Sequence, residues 1–250
     1  MARLGSWIES HPEGIYVRPA DAWIDPSQPK DRAWITHGHG DHARGGHGAV
    51  LATPETLAIM ECRHGPQNGQ AIRYGEPLVL GDIAIKFVPA GHILGSAQIV
   101  LDRAGELIVV SGDYKRRPDP TCPPFEPVPC DIFVTEATFA LPVFRHPDTG
   151  SEIDRLLAAH AANPDRAILV GAYALGKAQR LIMELRGRGH EAPIYLHGAL
   201  QRLCELYVDF GVELGALLPA TGVKSSALKG AIVLAPPSAL NDRWSRRLPD

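Results

Sequence analysis

Cysteine is scarce and scattered: Cys62, Cys122, Cys130 and Cys204 are the only four in 250 residues, and no two share a C-x-x-C spacing. This argues against a disulfide framework and against a thiolate zinc site, and it suits reduced thiols in a cytoplasmic protein. Long apolar runs are missing too, so nothing in the chain approaches the length of a membrane span. The opening Met1-Ala2-Arg3-Leu4-Gly5-Ser6-Trp7 has no apolar h-region, and no secretory signal is expected from it. Positive charge is not in surplus either. Lys and Arg number 25 against 28 Asp and Glu, for a net charge of -3, which removes the global basic field of many nucleic-acid binders. A polyanion would have to be held by a local patch or by metal. What remains is an ordinary globular composition, 45% apolar and 21% charged, long enough to bury a sizeable core in one domain or in a domain with a smaller partner.

The 22 prolines and 25 glycines lie between short strand-like runs and mark turns. Ile15–Arg18, Ala22–Ile24, Ala33–Thr36, Ala49–Thr53, Ile83–Val88, Ala97–Leu101, Leu107–Val110 and Asp131–Glu136 read as strands. Pro54 is placed to open a helix running to about Cys62. The character changes near Ser151, where Ser151 with Asp154 resembles a capping box and Ile153, Leu156 and Leu157 form a helical stripe. Strand and helix then alternate: Ala167–Val170, a helix carrying Ala178, Leu181, Ile182 and Leu185, Pro193–Leu196, and a helix carrying Leu200, Leu203, Cys204 and Tyr207. Alternation of this kind implies parallel βαβ units. The expectation is a strand-rich domain over residues 1–150 followed by an α/β domain over 151–250.

The densest chemistry is Thr36-His37-Gly38-His39-Gly40-Asp41-His42, after the apolar run Ala33-Trp34-Ile35. His37 and His39 are two apart, so at a strand end they point to one side. Four ligand-type residues at H-x-H-x-D-H spacing suit two adjacent metal ions, His37 and His39 on one, Asp41 and His42 on the other. Two later residues repeat the pattern of strand, glycine and ligand: His92 in Pro-Ala-Gly-His and Asp113 in Val-Val-Ser-Gly-Asp. His92 would complete a set of three imidazoles, and Asp113 could bridge both ions.

This set of residues resembles the metallo-β-lactamase superfamily. Within it, Gly112-Asp113-Tyr114-Lys115 and Thr135-Glu136-Ala137-Thr138-Phe139 are similar to the β-CASP nucleases. The longer string from Ser111 to Cys122, with Gly171-Ala172-Tyr173-Ala174-Leu175-Gly176-Lys177-Ala178-Gln179, looks most like the bacterial ligase-associated DNA exonucleases. The resemblance implies an α/β fold, an αββα sandwich with a small β-CASP-like α/β domain, shortened at its C-terminus. It implies two divalent ions, zinc or else manganese, on His37, His39, Asp41, His42, His92 and Asp113. Asp25 matches the superfamily's early aspartate, which orients the site, and Glu136 the acidic residue of the first β-CASP motif; with Asp41 they make the expected catalytic set. The implied activity is hydrolysis of DNA in repair, alongside an ATP-dependent DNA ligase and a helicase. RNA cleavage, small-ester hydrolysis and catalytically silent nucleic-acid binding are the alternatives. β-CASP members draw two further histidines from their C-terminal portion, whereas the last histidine here is His197. The second ion is therefore expected to bind weakly.

Gly171 to Lys177 nearly spells a phosphate-binding P-loop, but Ala178 stands where a Ser or Thr should hold magnesium. A glycine-rich turn at a helix start still favours an anion, so Tyr173 and Lys177 are expected to touch a nucleic-acid backbone. Lys115, Arg116 and, in the second domain, His197 are the other expected substrate contacts.

Overall fold

In the computed structural model, residues 5–249 are described, so residues 1–4 of the expected leaderless start, and residue 250 of the second expected domain, lie outside them. The chain divides into two compact units, Met1–Thr138 and Phe139–Asp250.

The first unit holds two sheets. One runs β1 (Ile8–His11), β2 (Gly14–Val17), β3 (Ala22–Ile24), β4 (Arg32–Trp34), β5 (Ala49–Ala52), and, after helix α1 (Pro54–His64), β6 (Gly69–Ala71), paired in that order. Its first three strands are antiparallel neighbours, and β3 to β6 are parallel. The other contains β7 (Pro77–Leu80), β8 (Ile83–Pro89), β9 (Ala97–Arg103), β10 (Glu106–Val110) and β11 (Ile132–Val134), in the order β11-β10-β9-β8-β7.

Alternation along the second sheet explains the core. Ile83, Ile85 and Phe87 of β8, Ala97, Ile99 and Leu101 of β9, and Ile108 and Val110 of β10 point inward to meet Val17, Ala22, Ile24, Trp34 and Leu51 of the first sheet. The two sheets thus form a sandwich. On the outer side of the first sheet, Ala33, Ile35, Val50 and Ala52 lie beneath Leu57 and Met60 of α1. Parallel strands covered on both faces need the near-continuous apolar runs seen in β4 and β5. On the outer side of the second sheet, Val88, Val100 and Val109 are covered by Val128 and Cys130. Helix α1 begins where Pro54 predicts it, with the Thr53 hydroxyl accepting from Thr56 N at 3.2 Å and donating to Gly95 O at 2.8 Å.

The second unit alternates α2 (Thr149–Ala161), β12 (Ile168–Gly171), α3 (Lys177–Arg186), β13 (Ile194–Leu196), α4 (Gly198–Asp209), β14 (Leu217–Pro219) and β15 (Ile232–Ala235). Its sheet is wholly parallel, in the order β12-β15-β13-β14. Sequence reading leaves Ile232–Ala235 unassigned, yet β15 is buried throughout and sits inside the sheet. It also places the cap of α2 at Ser151. The structure places it at Asp148, whose carboxylate accepts from Ser151 N at 2.8 Å, because Asp bonds a backbone N–H three residues on. Neither Thr36 nor Glu136 belongs to its strand; both lie just past the end. All four cysteines are free, and no helix among the described residues is long and apolar enough to cross a membrane.

Phe87 is fully buried between the sheets. Phe87→Ala is expected to cost about 3–5 kcal/mol of stability, read as a lowered denaturant midpoint in an unfolding titration.

Candidate metal centre

Strands β4, β8 and β10 all end at one end of the sandwich, and the loop after each carries part of the histidine–aspartate set. The ends are tied across the sheets by Ala97 N donating to Thr36 O at 2.8 Å. Two glycines shape the approach. Gly91 has φ +70°, and a Cβ there would fall 2.5 Å from Lys115 O and 2.7 Å from Phe125 N. Gly112 has φ +54°, and its Cβ would fall 2.5 Å from Thr36 Oγ1. Each precedes a ligand-type residue, so the backbone turns needed to present His92 and Asp113 are open only to glycine.

The side chains converge. His37 Nε2 lies 3.1 Å from His39 Nδ1, which lies 3.2 Å from His92 Nε2. Asp113 Oδ2 is 3.8 Å from His37 Nε2 and 3.6 Å from His92 Nε2. One ligand atom from each of these four residues lies within 4.8 Å of all the others. The other carboxylate oxygen of Asp113, Oδ1, faces His42 Nε2 at 3.3 Å. Asp113 therefore stands between the three-histidine group on one side and His42 on the other. Asp41 reaches to 3.8 Å from His42 Nε2, with a side chain 75% exposed.

Asp25 organises these rings from behind. Its Oδ1 accepts from Thr36 N at 2.8 Å, and its Oδ2 accepts from Thr36 Oγ1 at 2.5 Å and from His42 Nδ1 at 2.8 Å. A hydroxyl has one proton. With that proton given to Asp25, Thr36 Oγ1 must accept from His37 Nδ1, 3.1 Å away. The lone pair of His37 then sits on Nε2, facing the cluster, and the Asp25 contact on Nδ1 of His42 aims Nε2 of that ring at Asp113.

Electrostatics follow from this packing. Burial, and then the neighbouring His42, His39 and His92, push the His37 pKa well down. Burial and His39 bring His92 down to about 4. Burial works against a charged His42, but the hydrogen bonds to Asp113 and Asp25 outweigh it and lift its pKa to about 10. The His42 bond in turn lowers Asp113. Three imidazoles converging on a carboxylate, His37 and His92 among them pushed toward the neutral form, are the donor set a divalent cation takes. An ion bound tetrahedrally at about 2.0–2.1 Å would hold its nitrogen donors about 3.3–3.4 Å apart, close to the spacings found here. The residues fit a metal.

The remaining sequence candidates are placed as follows. Glu136 Oε2 accepts from Thr138 N at 2.7 Å, within its own turn. The Lys115 ammonium pairs with Asp119, and Arg116 is exposed. In the second unit, Tyr173 is 66% exposed and the Lys177 ammonium stands 5.5 Å from its ring centroid. His197 accepts from Ala199 N through Nδ1 at 3.2 Å, capping α4, with its ring edge-on to Trp244. Sequence reasoning passed over Thr36 and the buried Asp119; Thr36's only signal was its place directly before His37.

No family model matches the chain. A protein of Opitutus terrae named "Probable DNA ligase" is 27% identical over 249 residues, covering 97% of this chain and 24% of that protein. "Ribonuclease TTHA0252" of Thermus thermophilus is 30% identical over 221 residues, covering 74% of this chain and 50% of that protein. The chain thus spans half or less of the length of these relatives. A crystal structure of a protein of unknown function from Enterococcus faecalis V583 shares the fold, with a TM-score of 0.50 at 14% identity, covering 84% of this chain and 56% of that one.

Asp25→Ala frees both Thr36 and the His42 ring, and metal affinity is expected to fall about 10–100-fold in a chelator-competition titration. His42, with its pKa lifted to about 10, carries a proton at pH 8 in the metal-free protein. Taking a cation there expels that proton. Calorimetric titration with metal in buffers of different ionisation enthalpy is expected to show about one proton released per chain from this group, a release absent in His42→Ala.

Proposed function

The chain belongs to the β-CASP group of the metallo-β-lactamase superfamily, and from that premise we propose that it is a metal-dependent phosphodiesterase acting on nucleic acid, specifically a repair-associated DNA exonuclease. The observation that carries the reading is Asp113, with one oxygen toward His37 and His92 and the other toward His42. A carboxylate shared in this way suits two ions side by side.

His37, His39, His92 and Asp113 would hold the first ion; Asp41, His42 and Asp113 would hold the second. The second group brings fewer imidazoles and is the weaker site. Bound there, zinc or manganese supplies Lewis acidity and an activated water at neutral pH. The chain's own residues supply the rest. Asp25 and Thr36 fix the tautomers of His37 and His42. Asp41, exposed at the mouth with Oδ2 toward His42, would be the carboxylate placed to take a proton from an attacking water through its oxygen left free of the ion. Glu136 stiffens the turn at the end of β11. Arg116, Lys115, Tyr173, Lys177 and His197 are the proposed nucleic-acid contacts, the cations toward phosphates and the exposed Tyr173 ring toward a base.

The choice of DNA is supported by the relative named "Probable DNA ligase", whose match spans 97% of the chain. Functional association with an ATP-dependent ligase, in a cytoplasm that keeps the four thiols reduced, belongs to the same reading. RNA is the second reading, supported by the more identical ribonuclease relative.

End-labelled single- and double-stranded DNA and RNA, incubated with zinc or manganese, test it. Stepwise shortening of DNA, reduced more than about a hundredfold in His39→Ala, is expected. Cleavage of RNA alone gives the second reading instead. Hydrolysis of small esters alone, or binding with no cleavage by the wild type, overturns both.

A further inference from the structure

Asp119 is nearly fully buried in the loop that follows Asp113. Its Oδ1 accepts from Thr121 N at 3.0 Å and from Thr121 Oγ1 at 2.6 Å, while its Oδ2 takes the Lys115 ammonium. A carboxylate out of water needs such partners, since an unpaired buried charge is strongly unfavourable. Thr121, itself buried, fixes the carboxylate from the far side. Lys115 is anchored at its other end as well. Its N–H donates to Ala90 O at 3.0 Å, and its carbonyl packs against Gly91, directly before His92. Lys115, two residues after the shared carboxylate of Asp113, is thus held by main chain to the His92 loop and by side chain to Asp119.

We propose that Asp119, locked by Thr121, is a positioning residue that holds the Lys115 ammonium at the metal centre as a fixed contact for a substrate phosphate. The inference rests on the nucleic-acid reading above. An ammonium has three protons, and Asp119 takes one direction, leaving others for a phosphate oxygen. The Lys115 side chain keeps 22% of its surface open to solvent, so the charge is placed without being sealed. A free lysine would lose side-chain entropy on meeting a phosphate; here most of that freedom is already gone.

The test is direct binding, by fluorescence anisotropy, of labelled single-stranded DNA and RNA oligonucleotides to the full chain over a range of salt. Wild type, Lys115→Met, Asp119→Asn and the double variant are compared. Lys115→Met is expected to weaken binding about tenfold and to flatten the salt dependence by about one phosphate contact. Asp119→Asn is expected to weaken it several-fold, and the double variant to bind no worse than Lys115→Met alone. Wild-type binding by Asp119→Asn, or losses that multiply in the double variant, overturns the proposal, because a merely structural aspartate would act independently of the lysine charge. Should Asp119→Asn lack a native thermal transition, Thr121→Val decides: about two- to threefold weaker binding supports the proposal, and unchanged binding overturns it. Wild type that binds neither oligonucleotide overturns the nucleic-acid reading and this inference with it. That failure shows in the parent protein and not in its variants.

Discussion

The Asp25 carboxylate is the constraint on which the metal centre depends. It accepts three hydrogen bonds, two from Thr36 and one from His42, and through the Thr36 hydroxyl it also decides which nitrogen of His37 carries the proton. Charge-assisted bonds of this kind are worth about 1.5–3 kcal/mol each, enough to hold Asp25 at φ +46°, a left-handed conformation that costs a non-glycine residue about 1–2 kcal/mol. Its own N–H donates to Trp34 O at 3.0 Å, so the strained residue is pinned to the strand that leads into the histidines. One side chain therefore aligns a β-strand, a hydroxyl and two imidazoles.

The sandwich supplies what that carboxylate cannot. His37, His92 and Asp113 come from three strands in two sheets, and their meeting depends on the register of β8, β9 and β10. A slip of one residue in any of these would reverse inside and outside. The apolar alternation of Ile83, Ile85 and Phe87 against Ala97, Ile99 and Leu101 makes such a slip prohibitive, so the core specifies the site's geometry as well as its stability. The resulting electrostatics are mixed: burial and neighbouring histidines push His37 and His92 toward the uncharged form, while His42, between two carboxylates, holds its proton until something displaces it.

The loop from Asp113 to Thr121 shows the same economy. Lys115 reads in sequence as one of a solvated basic run with Arg116 and Arg117, yet its ammonium pairs with the buried Asp119 and its carbonyl lies against Gly91. A buried aspartate four positions on gives this lysine a fixed partner that its place in a basic run does not announce.

Sequence alone determined the chemistry and the local elements. H-x-H-x-D-H, a glycine before His92 and before Asp113, and period-2 apolar runs depend only on residue type and short-range spacing, so they survive the removal of all tertiary context. The strands from Ala22 to Val110 other than β6 and β7, helix α1 and the alternation after Ser151 were legible for that reason. Tertiary structure decided the rest. Ile232–Ala235 is a short continuous apolar run, which residue type alone does not assign to helix or strand, and pairing between two parallel neighbours makes it a strand. The cap of α2 went to Asp148, since the choice among nearby oxygens depends on where the chain enters the helix. Thr36 and Asp119 are unremarkable letters that acquire roles only when burial deprives them of water and leaves particular partners within reach. Hydrogen bonds between residues far apart in the chain cannot be read from either partner alone, and here they decide which way each histidine faces.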